Sequence, residues 1–232
     1  MISVVIPTYN EEARIEHAIA SVLRCRDETE IEIIVADGGS TDGTVSLARA
    51  YVQVVCSETG RAHQLNAAVE QARGDIFFFL HAHVTLPAGA LEMIDRAINT
   101  EGKDGGGFSN IFSEHNRKIK RLGRVLNLRI RDNDHSGNTL FFGDNGIFVR
   151  REVFEALGGF KTVPIMEDYD FSTRMRERFE VVRISEPKLV VSPRRHVEAG
   201  FVRTRIQWIL TRRLYELGVS PDHLARWYPK VR

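Results

Sequence analysis

Ile31-Glu-Ile-Ile-Val-Ala-Asp37-Gly-Gly-Ser-Thr-Asp-Gly-Thr44 is an apolar strand that runs into a carboxylate and then into a glycine-rich turn opening a helix. Asp37 therefore falls at the carboxyl end of a buried strand, where open α/β sheets place their ligands. Gly38, Gly39 and Gly43 let the backbone approach a ligand closely, and Ser40, Thr41 or Asp42 can cap the helix that follows. Such a strand-turn-helix corner suits an anionic or nucleotide ligand.

Outward from this corner, short apolar runs alternate with helical patterns. Ser3 to Ile6, Ile31 to Ala36, Gln53 to Cys56 and Ile76 to Leu80 read as strands. Between them Glu11 to Leu23, Asp42 to Tyr51 and Arg61 to Arg73 have helical spacing, which gives βαβαβαβ and predicts a parallel sheet covered by helices. Ala90 to Ile98 reads as a further helix, and Phe108 to Phe112 as a strand at which the sheet changes character. Beyond it the alternation is lost, apart from strands at Gly146 to Val149 and Leu189 to Ser192 and a helix from Glu167 to about Arg178.

With 232 residues, of which 43% are hydrophobic and 27% charged, the chain can bury one large α/β core. A formal net charge of +1 excludes a globally basic nucleic-acid binder. Two cysteines, Cys25 and Cys56, are too few for a disulfide framework and point to a reducing compartment. The start carries no basic leader, and no apolar run is long enough to span a bilayer, so a cytoplasmic location is expected. Two stretches, residues 117–131 and Phe201 to Leu217, are basic with apolar residues at helical intervals. Helices packed on the domain with solvated basic faces are the simpler reading, and peripheral contact with the inner face of a membrane is the other.

The first strand ends in Pro7-Thr-Tyr-Asn-Glu-Glu12 and lacks the Gly-x-Gly-x-x-Gly of a dinucleotide fold, and no phosphate loop of the Gly-x-x-x-x-Gly-Lys type is present. A dehydrogenase and a P-loop hydrolase are thereby disfavoured. Arg61 follows a turn glycine at a helix start, where a cation is electrostatically out of place unless an anion joins it.

Four motifs in order, Val4 to Glu12, Asp37 to Thr44, Gly60 to Ala68 and Ala72 to Ile76, resemble the family 2 nucleotide-sugar glycosyltransferases of GT-A fold. Gly143 to Arg151, Gly158-Gly-Phe160, Met166-Glu-Asp168 and Leu217 to Pro221 are similar to a bacterial branch of radical-SAM/selenodomain-associated transferases. The resemblance covers nearly the whole chain. It implies one GT-A-like domain, a mainly parallel sheet flanked by helices, with a nucleotide-sugar half through about Val84 and an acceptor half from residue 85 to 232.

It also implies roles. Asp37 would bond the nucleobase, uracil in many relatives, with Pro7, Tyr9, Asn10, Glu11 and Gly38 around base and ribose. Arg61 would neutralise diphosphate, Gln64 and Asn66 would hold that loop, and His81 would face the nucleotide. Relatives carry aspartate at the last position of His81-Ala-His83 to hold Mn²⁺ or Mg²⁺. Here His83 replaces it, and imidazole brings no negative charge and binds Mg²⁺ poorly. Asp168 would be the base of an inverting transfer to a hydroxyl acceptor, supported by Glu167, although capping acids also belong at a helix start. Gly143 and Asp144 would border the acceptor, and Arg194 and Arg195 would reach the diphosphate. A nucleotidyltransferase and a non-catalytic nucleotide- or sugar-binding module with a degenerate metal site are the alternatives.

Overall fold

A computed structural model describes residues 1–25, 29–113, 140–192 and 200–227. The first strands and helices follow the expected rhythm: β1 (Ile2–Thr8), α1 (Ile15–Leu23), β2 (Ile31–Asp37), α2 (Thr44–Arg49), β3 (Gln53–Cys56), α3 (Arg61–Gln71) and β4 (Ile76–Phe79). They are followed by β5 (Val84–Thr85), α4 (Ala90–Asp95), which runs into a π-helical turn over Arg96–Thr100, and β6 (Gly105–Phe112). A 3₁₀ turn at Gly143–Asn145 leads into β7 (Ile147–Arg150) and α5 (Arg151–Ala156). The remaining elements are α6 (Glu167–Arg178), β8 (Val181–Val191), α7 (Phe201–Glu216) and α8 (Pro221–Trp227).

All eight strands join one sheet in the order β3-β2-β1-β4-β7-β6-β8-β5. The side from β3 to β4 is wholly parallel. At β4 the direction changes, because β7 pairs antiparallel to β4 and β6 antiparallel to β7. β8 then runs parallel to β6, with a bulge between Phe108 and Asn110, and β5 closes the edge antiparallel to β8. The sheet is mixed, with its parallel character confined chiefly to the nucleotide-sugar half of the expectation.

Strand alternation divides the core between the two faces. Ile2, Val4 and Ile6 of β1 pack with α1 and α4 on one face, and Val5 packs with α3 and the aromatic residues of the other. On that second face Phe171 of α6 lies 4.4 Å from Phe160 and 5.5 Å from Phe154, centroid to centroid. Pairs of this kind contribute about 0.5–1.5 kcal/mol beyond area burial. Ser172 Oγ also accepts the Phe141 N–H at 2.7 Å, and Arg174 donates to the Leu157 and Gly159 carbonyls. These contacts fix α6, and with it the acid pair at its start.

Candidate active site

Two neighbouring clusters lie at the carboxyl ends of the central strands. The first is built from the β1 and β2 ends. Asp37 is buried, and its carboxylate accepts four hydrogen bonds: Oδ1 from the hydroxyls of Thr8 (3.2 Å) and Ser40 (2.5 Å), and Oδ2 from the amides of Gly39 (2.9 Å) and Ser40 (2.8 Å). An ionised carboxylate has about four acceptor positions, so Asp37 is fully engaged in shaping its own turn. The Pro7 to Glu12 loop is stitched to that turn. Asn10, in a left-handed conformation with φ 55°, donates its amide to Ser40 Oγ and accepts the Thr41 amide on Oδ1. The Glu11 amide donates to Thr44 Oγ1, and Glu12 Oε2 accepts from the Gly43 amide.

Gln64 clamps the same corner from α3. Its Nε2 donates to the Thr8 carbonyl at 2.6 Å and the Ala36 carbonyl at 2.9 Å, where β1 and β2 part. Asn66, two residues along, exchanges two hydrogen bonds with the backbone of Phe160 and so ties α3 to the loop before α6. Tyr9 and Asn10 are exposed, and Pro7 and Gly38 are buried.

The second cluster lies where β4 ends and β7 begins. The antiparallel register pairs Phe79 with Ile147, and its continuation sets residues 81–83 opposite the 143–145 turn. His83 Nε2 lies 2.9 Å from Asp144 Oδ1, and His81 Nδ1 lies 3.4 Å from the same oxygen. Among the described residues, His81, His83 and Asp144 are the one group whose ligand atoms gather as for a metal, all within 4.8 Å of one another. Their packing needs Gly143: a Cβ there would fall 2.0 Å from His81 Cε1. Asn145 pins the turn by donating to the Phe108 carbonyl and accepting the Phe142 amide, and Asn110 donates to the Asp144 carbonyl.

Electrostatics suit these groups to a cation. Burial lowers the His81 pKa, which the hydrogen bond and charge of Asp144 partly offset. Burial alone would raise Asp144, but His83 and the hydrogen bonds from both imidazoles outweigh it and hold the carboxyl well below its ordinary range. Two imidazoles and one carboxylate fit Mn²⁺ or a softer divalent ion better than Mg²⁺. Asp144, expected at the acceptor border, brings to this group the carboxylate that position 83 lacks.

The acid pair adjoins this trio. Asp168 Oδ2 accepts the Gly143 amide at 2.8 Å, and Oδ1 accepts the Tyr169 amide at 2.7 Å. No side chain caps α6; the capping position is Met166, a non-glycine residue at φ 70°. Left-handed backbone at such a residue costs on the order of 1–3 kcal/mol and concentrates at functional sites. Glu167 is buried and lies 2.9 Å from Arg61 Nη1, yet its Oε1 receives no aligned hydrogen bond. Burial raises the Glu167 pKa, Arg61 pulls it down and Asp168 pushes it further up. Arg61 is thereby drawn to the cluster edge with its guanidinium partly exposed. Arg194 and Arg195 lie outside the described residues, as does the basic stretch 117–131. The strained Met166 and the Asn110 and Asn145 supports were not anticipated, and no local sequence signal marks them.

The mixed sheet, with both clusters gathered at one edge of its central strands, has the GT-A fold. The profile of Glycosyl transferase family 2 matches residues 3–158, more than half of the chain, and the chain belongs to that family. An uncharacterised protein of Mycobacterium tuberculosis is 28% identical over 222 residues, covering 86% of this chain and 68% of its own. Two solved structures share the fold. The mannosyltransferase PcManGT from Pyrobaculum calidifontis, in complex with GDP-Man and Mn²⁺, superposes with a TM-score of 0.70 at 23% identity, covering 95% of this chain and 66% of its own. TarS from Staphylococcus aureus in complex with UDP-GlcNAc gives 0.66 at 21% identity, covering 82% and 58%. The chain spans less than two thirds of either structure.

Proposed function

We propose that the protein transfers a sugar from a UDP-sugar to an acceptor hydroxyl with inversion at the anomeric carbon. The observation that carries this reading is the direct link between the metal-competent trio and the acid pair through the Gly143 backbone, with Asp168 2.8 Å from the Gly143 nitrogen. A divalent ion held by His81, His83 and Asp144 would supply charge neutralisation to the leaving diphosphate. Arg61, held in position by Glu167, adds a second positive charge at that edge.

Asp168 is the base. Its carboxylate, oriented by two backbone amides, takes the acceptor proton while the hydroxyl oxygen bonds to the anomeric carbon. The bond from that carbon to the diphosphate oxygen breaks on the opposite face, and nucleoside diphosphate leaves. The Pro7 to Glu12 loop and the Asp37 turn form the wall against which the nucleoside packs. Because the Asp37 oxygens are all engaged, a base bonded by Asp37 must displace one of these donors from Thr8, Gly39 or Ser40.

The reading is tested by calorimetric titration of UDP, with GDP as control, with and without Mn²⁺. UDP binding strengthened by Mn²⁺ is expected. Absence of binding by either nucleotide under both conditions would remove the donor site and the function built on it.

A further inference from the structure

The helix α7 is patterned inside out. Thr204 and Thr211 are buried against the domain, with Trp208 and Tyr215 half-buried beside them, while Ile206, Ile209, Leu210, Leu214 and Leu217 face outward. The exposures are large where it matters: 56% for Leu210, 80% for Leu217 and 82% for Trp227 at the end of α8. Ile206, Leu210, Leu214 and Leu217 follow helical spacing and form one stripe. Arg203, Ile206, Gln207 and Leu210 line an open groove of about 620 Å³ along it. A water-facing helix normally shows the reverse arrangement, so this stripe is built for an apolar environment.

We propose that the outer face of α7, with Trp227, docks on an anionic lipid surface. Charge selects this occupant. On α7 the exposed Arg203 and Arg213 fall on the same helical face as the stripe, Arg213 paired with Glu216, and Arg226 is exposed on α8. The acid of α7, Glu216, is engaged by Arg212 and Arg213 and accepts from Tyr169, which leaves Asp222 as the exposed acid on α8. Apolar residues with a basic rim and an edge tryptophan are the composition of a helix lying in a bilayer interface. A second copy packed face to face would set these arginines against their own counterparts. Insertion across the bilayer is not the mode, since no helix among the described residues is long and apolar enough.

The inner face connects docking to the site. The Tyr169 hydroxyl donates to Glu216 at 2.6 Å, Tyr215 donates to Asp170 at 3.3 Å, and Trp208 packs edge-on to Phe142 at 4.8 Å. A docked α7 therefore holds the first turn of α6 beside the lipid surface.

Sedimentation with phosphatidylcholine vesicles, with and without phosphatidylglycerol, tests the proposal on the full chain. Binding is expected only to the anionic vesicles and is weakened by salt. Leu210→Gln with Leu217→Gln should lower partitioning by about tenfold or more, and Arg203→Gln with Arg226→Gln should erase the preference for anionic lipid. Circular dichroism confirms that each variant is folded. Failure of the folded wild type to bind anionic vesicles overturns the proposal. So does a stable dimer that Leu210→Gln dissociates, because a second copy would then own the face.

Discussion

The two clusters at the sheet edge are built from similar polar residues and treat them in opposite ways. Around Asp37 each carboxylate oxygen takes two donors, and Gln64, Asn10 and Thr44 close the remaining gaps. Around Asp144 and Glu167, two imidazoles converge on one oxygen, a buried glutamate oxygen has no aligned donor, and a methionine holds a left-handed backbone. The first cluster is a finished wall. The second carries electrostatics of the kind a bound cation and an anionic ligand would satisfy, which is what the proposed function requires of it.

The contrast predicts that substitutions in the second cluster change catalysis or metal binding, whereas those in the first change stability. Asp168→Asn should have the largest effect, lowering kcat by about 10²–10⁴-fold while UDP affinity, measured by calorimetry, stays within about threefold. Gln64→Met leaves the Thr8 and Ala36 carbonyls without their donor and should cost about 2–4 kcal/mol in denaturant unfolding, with Mn²⁺ affinity unchanged in the folded protein. Gly143→Ala forces His81 aside, and a titration should show Mn²⁺ binding weakened by about tenfold or more against a small stability loss. Ser40→Ala removes one of two donors on Asp37 Oδ1 and should cost about 0.5–1.5 kcal/mol with turnover retained. A Ser40 variant that abolished activity at full stability would break the comparison, because the wall would then be taking part in the chemistry.

The wall was legible in the sequence because it is built on the parallel strand-helix alternation that the apolar runs show, although Thr8 lies 29 positions from Asp37 and 56 from Gln64. β1 to β4 and their helices follow apolar runs and glycine turns, and α6 spans the residues that its spacing indicated. The second cluster was legible only in pieces. His83 was recognised, but Asp144 lies 61 positions away and meets it through the antiparallel pairing of β4 with β7, which a parallel rhythm does not suggest. β6 hid its first half because Gly105, Gly106 and Gly107 carry no side-chain pattern; a Cβ on Gly106 would fall 2.1 Å from the Val182 carbonyl oxygen. β8 showed only its end, from Leu189, and hid the rest behind Arg183, Glu186 and Lys188 and a bulged register that breaks the period-two alternation. The apolar spacing of α7 was legible in the sequence, but not that its stripe faces outward, because arginines beside an apolar stripe equally suit a helix packed on the domain with a solvated basic face.

The central claim is that Asp144 supplies the charge that position 83 lacks. Titration of Mn²⁺ into the wild type and into Asp144→Asn, both with UDP present, tests it most directly. A drop in Mn²⁺ affinity of about tenfold or more in the variant is predicted. Equal affinities in two folded proteins would contradict the account and move the metal elsewhere.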